Sequence, residues 1–441
     1  MVNLSGTGRG QENWNARVLM LALPIILANL AQPILALVDT MVAGHLPGAW
    51  FLGGVALAGV LFNFMFWSFG FLRMSTTGLV AQASGAADEP LIQRHLLRAL
   101  LVAATAGMII VIFKTPIMTL GMALLGGSEA VRESAFSYAS ARIWSAPAAL
   151  GNFVLVGYLL GRQRVVVSLA LQVALNLMNL TATLTLVLVF GWDVAGIGAG
   201  TAIAEWITFI AGLLIVKPFS GAARAQWREV FDGPSLGRLF TVNRDIFLRS
   251  FFLLVCFGWF ARSGAAEGDA ILAANAVLLN LHGFMSYGLD GFAHATEALV
   301  GSVIGARRRE ALCKVIKAAM IWSGLIAALF SIGYAFGGTA IVALLTNQED
   351  VRAMAGEFLP YVALLPVVSV VSYIMDGIFI GALRTRELRN SMFLSTVFFL
   401  LTAYGLQHIW GNHGLWLAMI VLMLFRAATL GLYLRRIFEA L

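Results

Sequence analysis

The stretch Pro24–Thr40, PIILANLAQPILALVDT, is apolar enough to cross a bilayer, yet it carries one carboxyl group, Asp39. Asn29, Gln32 and Thr40 accompany it, and Pro24 and Pro33 interrupt the same run. On an ideal helix Asn29, Gln32, Asp39 and Thr40 fall within an arc of about 100°. A carboxylate near a helix centre costs about 2.5–3.5 kcal/mol on insertion scales, and such residues face a cavity or an ion path. The chemistry open to Asp39 is therefore proton uptake and release, neutral in one state and ionised in another. The two prolines remove backbone hydrogen bonds from its helix and allow it to bend. The competing reading makes Asp39 half of a structural salt bridge, with Arg73 as its counterion.

Further along, Gln172, Asn176, Asn179 and Thr183 follow one another at spacings that keep them on one helix face, and Thr201, Glu205 and Thr208 do the same. Three polar faces can converge only inside a bundle, where they either line a pocket or glue helices together at about 0.6–2 kcal/mol per contact. In the second half Asp290, Glu297 and Asp376 lie in apolar runs with His282 and His294. The intramembrane arginines Arg73, Arg142, Arg249 and Arg426 need partners, and Asp290 is expected to pair with Arg73 or Arg249 as a clasp between helices. The two histidines read as hydrogen-bonded packing residues. Phe62, Phe64, Met65 and Phe66 either line an adaptable apolar cavity or face lipid.

The elements that must hold these groups follow from composition. Of 441 residues, 60% are hydrophobic and 12% charged, about half the charged fraction of a soluble domain. Apolar runs of about 20 residues without alternation specify membrane-spanning helices rather than barrel strands. Twelve are expected, near 17–43, 53–83, 96–113, 132–160, 165–189, 194–216, 245–261, 270–300, 315–336, 353–381, 390–409 and 414–434. The apolar run after the polar N-terminal residues is too long for a signal peptide, so retention of this end is expected. With the N-terminus inside, nineteen of the 29 basic residues fall in cytoplasmic segments and four (Lys114, Arg132, Arg262 and Arg352) on the other side. That bias places both termini in the cytoplasm and accounts for the net charge of +7 without a nucleic-acid partner.

No HExxH, phosphate loop or clustered Cys/His site is present, and the glycines of GTGRGQE follow no strand. Cys256 and Cys313 offer no metal spacing. No cofactor is expected, and the energy source would be an ion gradient. The polar stretch 217–243 divides the chain, and GLVAQASGA at 78–86 aligns with ALVGSVIGA at 298–306, a shift of 220 that also carries Gly157 and Gly161 onto Gly377 and Gly381. The organisation expected is a first lobe at 1–216, a cytoplasmic linker at 217–243 and a second lobe at 244–441. The lobes are parallel six-helix repeats with substrate held between them.

The segments LALPIILANLAQPILALVDTMVAGHL, FLRMSTTGLVAQASGA, NRDIFLRSFFLLVCFG, YGLDGFAHATEALVG, MDGIFIGALRTRELRNSM and GNHGLWLA resemble the multidrug and toxic compound extrusion family, in its DNA-damage-inducible-F branch. The resemblance runs from about residue 15 to the C-terminus. It implies two pseudo-symmetric six-helix lobes in a V, alternating access, and export of small amphipathic or cationic compounds in exchange for protons or sodium. The family's essential first-helix aspartate falls on Asp39, its bending proline on Pro24, and its fifth-helix asparagine on Asn176 or Asn179. Two departures bear on the coupling ion. Thr183 stands where members of the branch often carry aspartate, and Arg249 stands in the region of the seventh-helix glutamate of sodium-using relatives, beside the matching tenth-helix Asp376. The expected protein is thus a monomeric, proton-driven drug antiporter of the inner membrane, with Asp39 as the coupling group. Pro24 and Pro33 act as its hinge. Asn29, Gln32, Thr40, Asn176, Asn179, Thr183 and Glu205 form its pocket, and Arg249, Asp290, Glu297 and Asp376 a polar cluster in the second lobe. Sodium coupling and flipping of a lipid-linked precursor are the alternatives.

Overall fold

A computed structural model describes residues 13–218 and 227–439, with the side chains at 32, 34–36, 227 and 228 outside the described set. Gln32, the GTGRGQE segment and Arg224 of the linker therefore lie outside the described residues. Among those described there is no strand, and twelve helical spans are long and apolar enough to cross a membrane. In order they are Trp14–Gly44, the pair Ala49–Trp67 and Phe71–Gly85, Glu89–Ile112, the pair Glu129–Arg142 and Ala146–Gly161, Val165–Val189, and Val194–Val216. The second six are Gly233–Ala266, Asp269–Gly305, Arg309–Leu345, Glu349–Gly381, Thr385–Trp410 and Asn412–Glu439.

Local chemistry sets the ends. Asn13 accepts from the Ala16 amide at 3.2 Å, Asp88 from Leu91 at 2.9 Å and Asp232 from Ser235 at 3.1 Å, with Pro90 and Pro234 in the first turns. That last cap explains why Gly233–Asn243, polar in sequence, is the opening of the seventh span. A short helix, Lys114–Leu125, follows the third span. Its twelve apolar-rich residues are too few to cross, and it lies between two of the expected spans.

The 220-residue repeat is visible in the backbone. Four non-glycine residues in the left-handed region pair at that offset: Ala87 with Arg307, and Gln163 with Leu383. Each ends a span by the same tight turn. Gly157 and Gly161 of the fourth span lie against the carbonyls of Arg73 and Thr77, while Gly377 and Gly381 lie against those of Ala293 and Glu297. The two lobes thus repeat one packing of small residues on a neighbouring helix.

Each lobe has its own apolar core. Phe62, Tyr138, Leu150 and Ile197 anchor the first, and Phe260, Phe358, Phe399 and Trp416 the second. A third cluster joins the lobes: Val18, Leu21 and Ile25 of the first span pack on Phe292, Leu299, Leu312 and Ile374. The lobes also meet along a seam between the second and eighth spans. There Gly85 abuts the Ser302 carbonyl and Gly305 abuts the Gln82 carbonyl, with no room for a Cβ on either. Gln82 Nε2 donates across it to the Gly381 carbonyl at 2.9 Å. Away from the seam the lobes enclose a cleft, the V expected of the fold.

The described part of the segment between lobes is anchored to the third span. Arg98, buried, donates from Nε to the Val230 carbonyl at 2.9 Å and from a terminal nitrogen to the Glu229 carbonyl, while Arg94 pairs with the Glu229 side chain. Replacing Arg98 by Ala strips two carbonyls of charged donors. The expected result is a loss of about 1–3 kcal/mol, read as faster proteolysis between residues 217 and 243.

Candidate functional site

A cavity of about 740 Å³ lies between the lobes. Asn29, Asn152, Gln172, Asn176 and Glu205 contribute to its first-lobe wall, and Arg249, Asp290, Glu297, Tyr373 and Asp376 to its second-lobe wall. Phe66, Trp67, Phe153 and Phe257 supply apolar surface. The aromatic stretch of the second span is divided: Phe66 faces the cavity, Phe62 is core, and Phe64 is exposed on the outer surface.

Asp39 stands behind this wall, within the first lobe, 3% exposed. The Tyr138 hydroxyl donates to its Oδ2 at 3.0 Å. Thr201 Oγ1 lies 3.5 Å from Oδ2 and 3.2 Å from the Ile197 carbonyl, so its single proton is divided between the two. Asn179 Nδ2 donates to Thr201 Oγ1 at 2.8 Å. Asp39 Oδ1, Asn179 Oδ1 and Thr183 Oγ1 have no hydrogen-bond partner among the described residues. A buried carboxyl with one oxygen held and the other free has room to accept a proton on the free oxygen.

Behind Tyr138 sits Arg142. It donates to the tyrosine hydroxyl at 2.5 Å and lays its guanidinium over the Phe62 ring at 4.7 Å. Asp39 is therefore linked to a cation through a phenol, and that cation is Arg142. The salt bridge to Arg73 entertained from sequence is not made, because Arg73 projects across the seam. Tyr138 and Arg142, four apart on one helix, are the members of the cluster that the sequence reading did not assign. Their shared face on the fourth span was the available signal.

Three amides organise the rest of this lobe. Asn176 donates to the Ala31 carbonyl at 2.9 Å, on the first-span backbone between Pro24 and Pro33. Asn29 donates to the Tyr287 carbonyl at 3.3 Å, tying the same stretch to the eighth span. Pro33 has no N–H for the Asn29 carbonyl, so the helix is held by side chains where its own ladder is broken. Asn152, another residue not singled out from sequence, donates to Glu205 Oε2 at 2.6 Å. Thr40 is exposed rather than part of the buried cluster.

In the second lobe Asp376 Oδ2 receives both Arg249 and Arg426, the latter at 2.6 Å. Arg73 of the first lobe donates to His294 Nε2 at 2.8 Å and stands 3.8 Å from Glu297 Oε2. The guanidinium has no lone pair, so Nε2 is the acceptor and a neutral His294 carries its proton on Nδ1. The expected clasp between Asp290 and Arg73 or Arg249 is corrected accordingly. Asp376 draws two arginines, His294 and Glu297 draw the third, and Asp290 lines the cavity without a hydrogen bond or ion pair among the described residues. His282 packs its ring 6.0 Å from that of Phe257.

The MatE family model matches residues 24–185 and 246–405, one match in each lobe. DNA damage-inducible protein F of Escherichia coli (strain K12) is 43% identical over 423 residues, covering 94% of this chain and 91% of that protein. Multidrug resistance protein NorM of Vibrio vulnificus (strain YJ016) is 25% identical, over 95% of this chain and 94% of its own length. Among solved structures, a MATE protein in the bent conformation superposes with a TM-score of 0.85 at 20% identity, covering 97% of this chain and 96% of that one.

Proposed function

The chain belongs to the MatE family and is a multi-pass inner-membrane transporter of the multidrug-efflux kind, not an enzyme; from that premise we propose that it is a proton/drug antiporter in which Asp39 carries the coupling proton. The observation that carries this reading is the environment of Asp39: buried, with Oδ2 held by Tyr138 and Oδ1 free of any donor among the described residues. In the proposed cycle an ionised Asp39 keeps the first lobe open to an amphipathic or cationic compound. Protonation from outside abolishes its charge. The first span, broken by Pro24 and Pro33 and held by Asn29 and Asn176, then bends and narrows the pocket, and the compound leaves outward. Asn179, Thr183 and Glu205 complete the polar set of this lobe in the proposal. Asp39 returns its proton to the cytoplasm when the cleft faces inward.

The protein works as a monomer in this reading, with lobes at 1–216 and 244–441, a cytoplasmic linker at 217–243 whose residues 233–243 already begin the seventh helix, and both termini in the cytoplasm. The distribution of basic residues supports that orientation, which puts the closed seam on the cytoplasmic side. Sodium coupling through Asp376 is disfavoured because two guanidiniums already occupy that carboxylate. Flipping of a lipid-linked precursor calls for free cationic groups, whereas Arg73, Arg249 and Arg426 all face carboxylates. The deciding measurement is dye movement in proteoliposomes. A pH gradient drives export with sodium equal on both sides, and a sodium gradient at equal pH does not. Transport that follows sodium alone would exclude the proposal.

A further inference from the structure

Arg73 crosses from the first lobe to two residues of the eighth span just above the glycine seam, and its partners are unequally served. His294 receives a hydrogen bond at 2.8 Å. Glu297, fully buried, receives none on either carboxylate oxygen, and Arg73 Nη1, which faces it at 3.8 Å, has no hydrogen-bond acceptor among the described residues. The hydroxyl of Thr77, beside it, donates to the Arg73 carbonyl at 2.9 Å. A buried carboxylate with a cation beside it but no donor upon it is an incomplete ion pair. Such a pair holds while both charges persist and is strongly unfavourable once one is removed.

We propose that Glu297 is a second proton-carrying residue, and that its protonation releases Arg73 and unlatches the lobes on the seam side. The step is a simple transfer. A proton from water in the cavity adds to a Glu297 carboxylate oxygen, both His294 and Glu297 being part of the cavity wall, and no other bond changes. Arg73, half-buried on the cavity wall, is then a cation facing a neutral carboxyl and a neutral imidazole. Opening the seam hydrates it, so the open seam is the favoured state of the protonated protein. Deprotonation on that side restores the pair and closes the seam.

The other charges around Glu297 do not substitute for it. On its own span Asp290 lies two turns away and His294 is already engaged by Arg73. On the tenth span Asp376 is matched by Arg249 of the seventh and Arg426 of the twelfth. The inference rests on the antiport reading for its place in the cycle. With the seam cytoplasmic, protonation of Glu297 from the outward cleft would drive the return to the inward-facing state, a task distinct from that of Asp39.

The test uses the full chain with Cys313, the exposed thiol, replaced by Ser and with spin labels at Ala86→Cys and Ala306→Cys, exposed positions on either side of the seam. In nanodiscs without substrate, the inter-label distance of the parent protein is expected to lengthen as the medium is acidified. Glu297→Gln should give the long distance at every pH. Glu297→Asp should keep the pH response, and Asp39→Asn should keep it too. A short distance in Glu297→Gln, or a pH response lost in Asp39→Asn and retained in Glu297→Gln, overturns the proposal. A seam that follows Glu297 while dye export follows sodium would uphold the latch and reject the antiport reading instead.

Discussion

Asp39→Asn is expected to reduce dye efflux to the level of membranes lacking the protein, a drop of at least about tenfold, equivalent to about 1.4 kcal/mol or more in the limiting step. The substitution preserves shape and keeps an oxygen for the Tyr138 hydroxyl, which donates at 3.0 Å in the native arrangement. It also removes a buried charge, so assembly of the first lobe should survive. What disappears is the change of charge. With a permanently neutral side chain, Arg142 faces the same partner in every state of the cycle, and nothing distinguishes the loaded from the unloaded protein at this point. The measurement compares efflux at matched membrane abundance, with Met41→Ala, at an exposed position, as the substitution control. Tyr138→Phe should fall between the two, since it takes one donor from Oδ2 but leaves a titratable group. Export by Asp39→Asn equal to that of the parent would remove Asp39 from the coupling step.

The sequence made the architecture legible because the bilayer imposes so few solutions. Apolar length alone located all twelve spans, and the structure chiefly lengthened them where caps such as Asp232 begin a helix in polar sequence. The duplication was legible for a related reason. Small residues at 78–86 and 298–306 are dictated by the seam, where each lobe needs backbone against backbone. Pairing between helices was less legible. Periodicity states which residues share a face, but not which helix that face meets. Hence Arg73 could be assigned to Asp39 or to Asp290, when it reaches His294 and Glu297. Hence too Arg142 was left without a partner and Tyr138 without a role, although they lie one turn apart: a tyrosine and an arginine on a helix carry no chemistry until a carboxylate from another span is placed against them.

The two lobes treat their acids differently. In the first, Asp39 and Glu205 are served by neutral donors, Tyr138, Thr201 and Asn152, with Arg142 one step removed. In the second, Asp376 is overcharged by two guanidiniums. Neutral donors permit a carboxyl to be protonated without stranding a cation, whereas loss of charge at Asp376 would leave two arginines unmatched in a dry interior. That asymmetry supports placing the drug-coupled proton in the first lobe, and leaves Asp376 the task of holding the seventh, tenth and twelfth spans together.

Gly305→Val is expected to abolish transport while leaving the protein folded in the membrane, because it blocks only the closed form of the seam. A Cβ at Gly305 would fall on the Gln82 carbonyl, and one at Gly85 on the Ser302 carbonyl. In both cases the obstacle is backbone of the last helical turn, Gln82 of Phe71–Gly85 and Ser302 of Asp269–Gly305, so it cannot rotate away as a side chain would. Each lobe has a core of its own, so the strain is relieved by separating the lobes at the seam rather than by unfolding either of them. A clash of several kcal/mol would shift the population of the closed seam by about a hundredfold or more, trapping the protein open on that side. Gly85→Val should behave identically, since the two glycines occupy equivalent positions 220 residues apart. The check is twofold: loss of dye export, and accessibility of a cysteine placed at Ser302 to a membrane-impermeant thiol reagent applied from the seam side, cytoplasmic in the proposed orientation, in a background with Cys313 replaced by Ser. Labelling should be slow in the parent and fast in both valine variants. Normal export by either one would mean that the lobes need not approach so closely, and that the seam is not an obligatory state of the cycle.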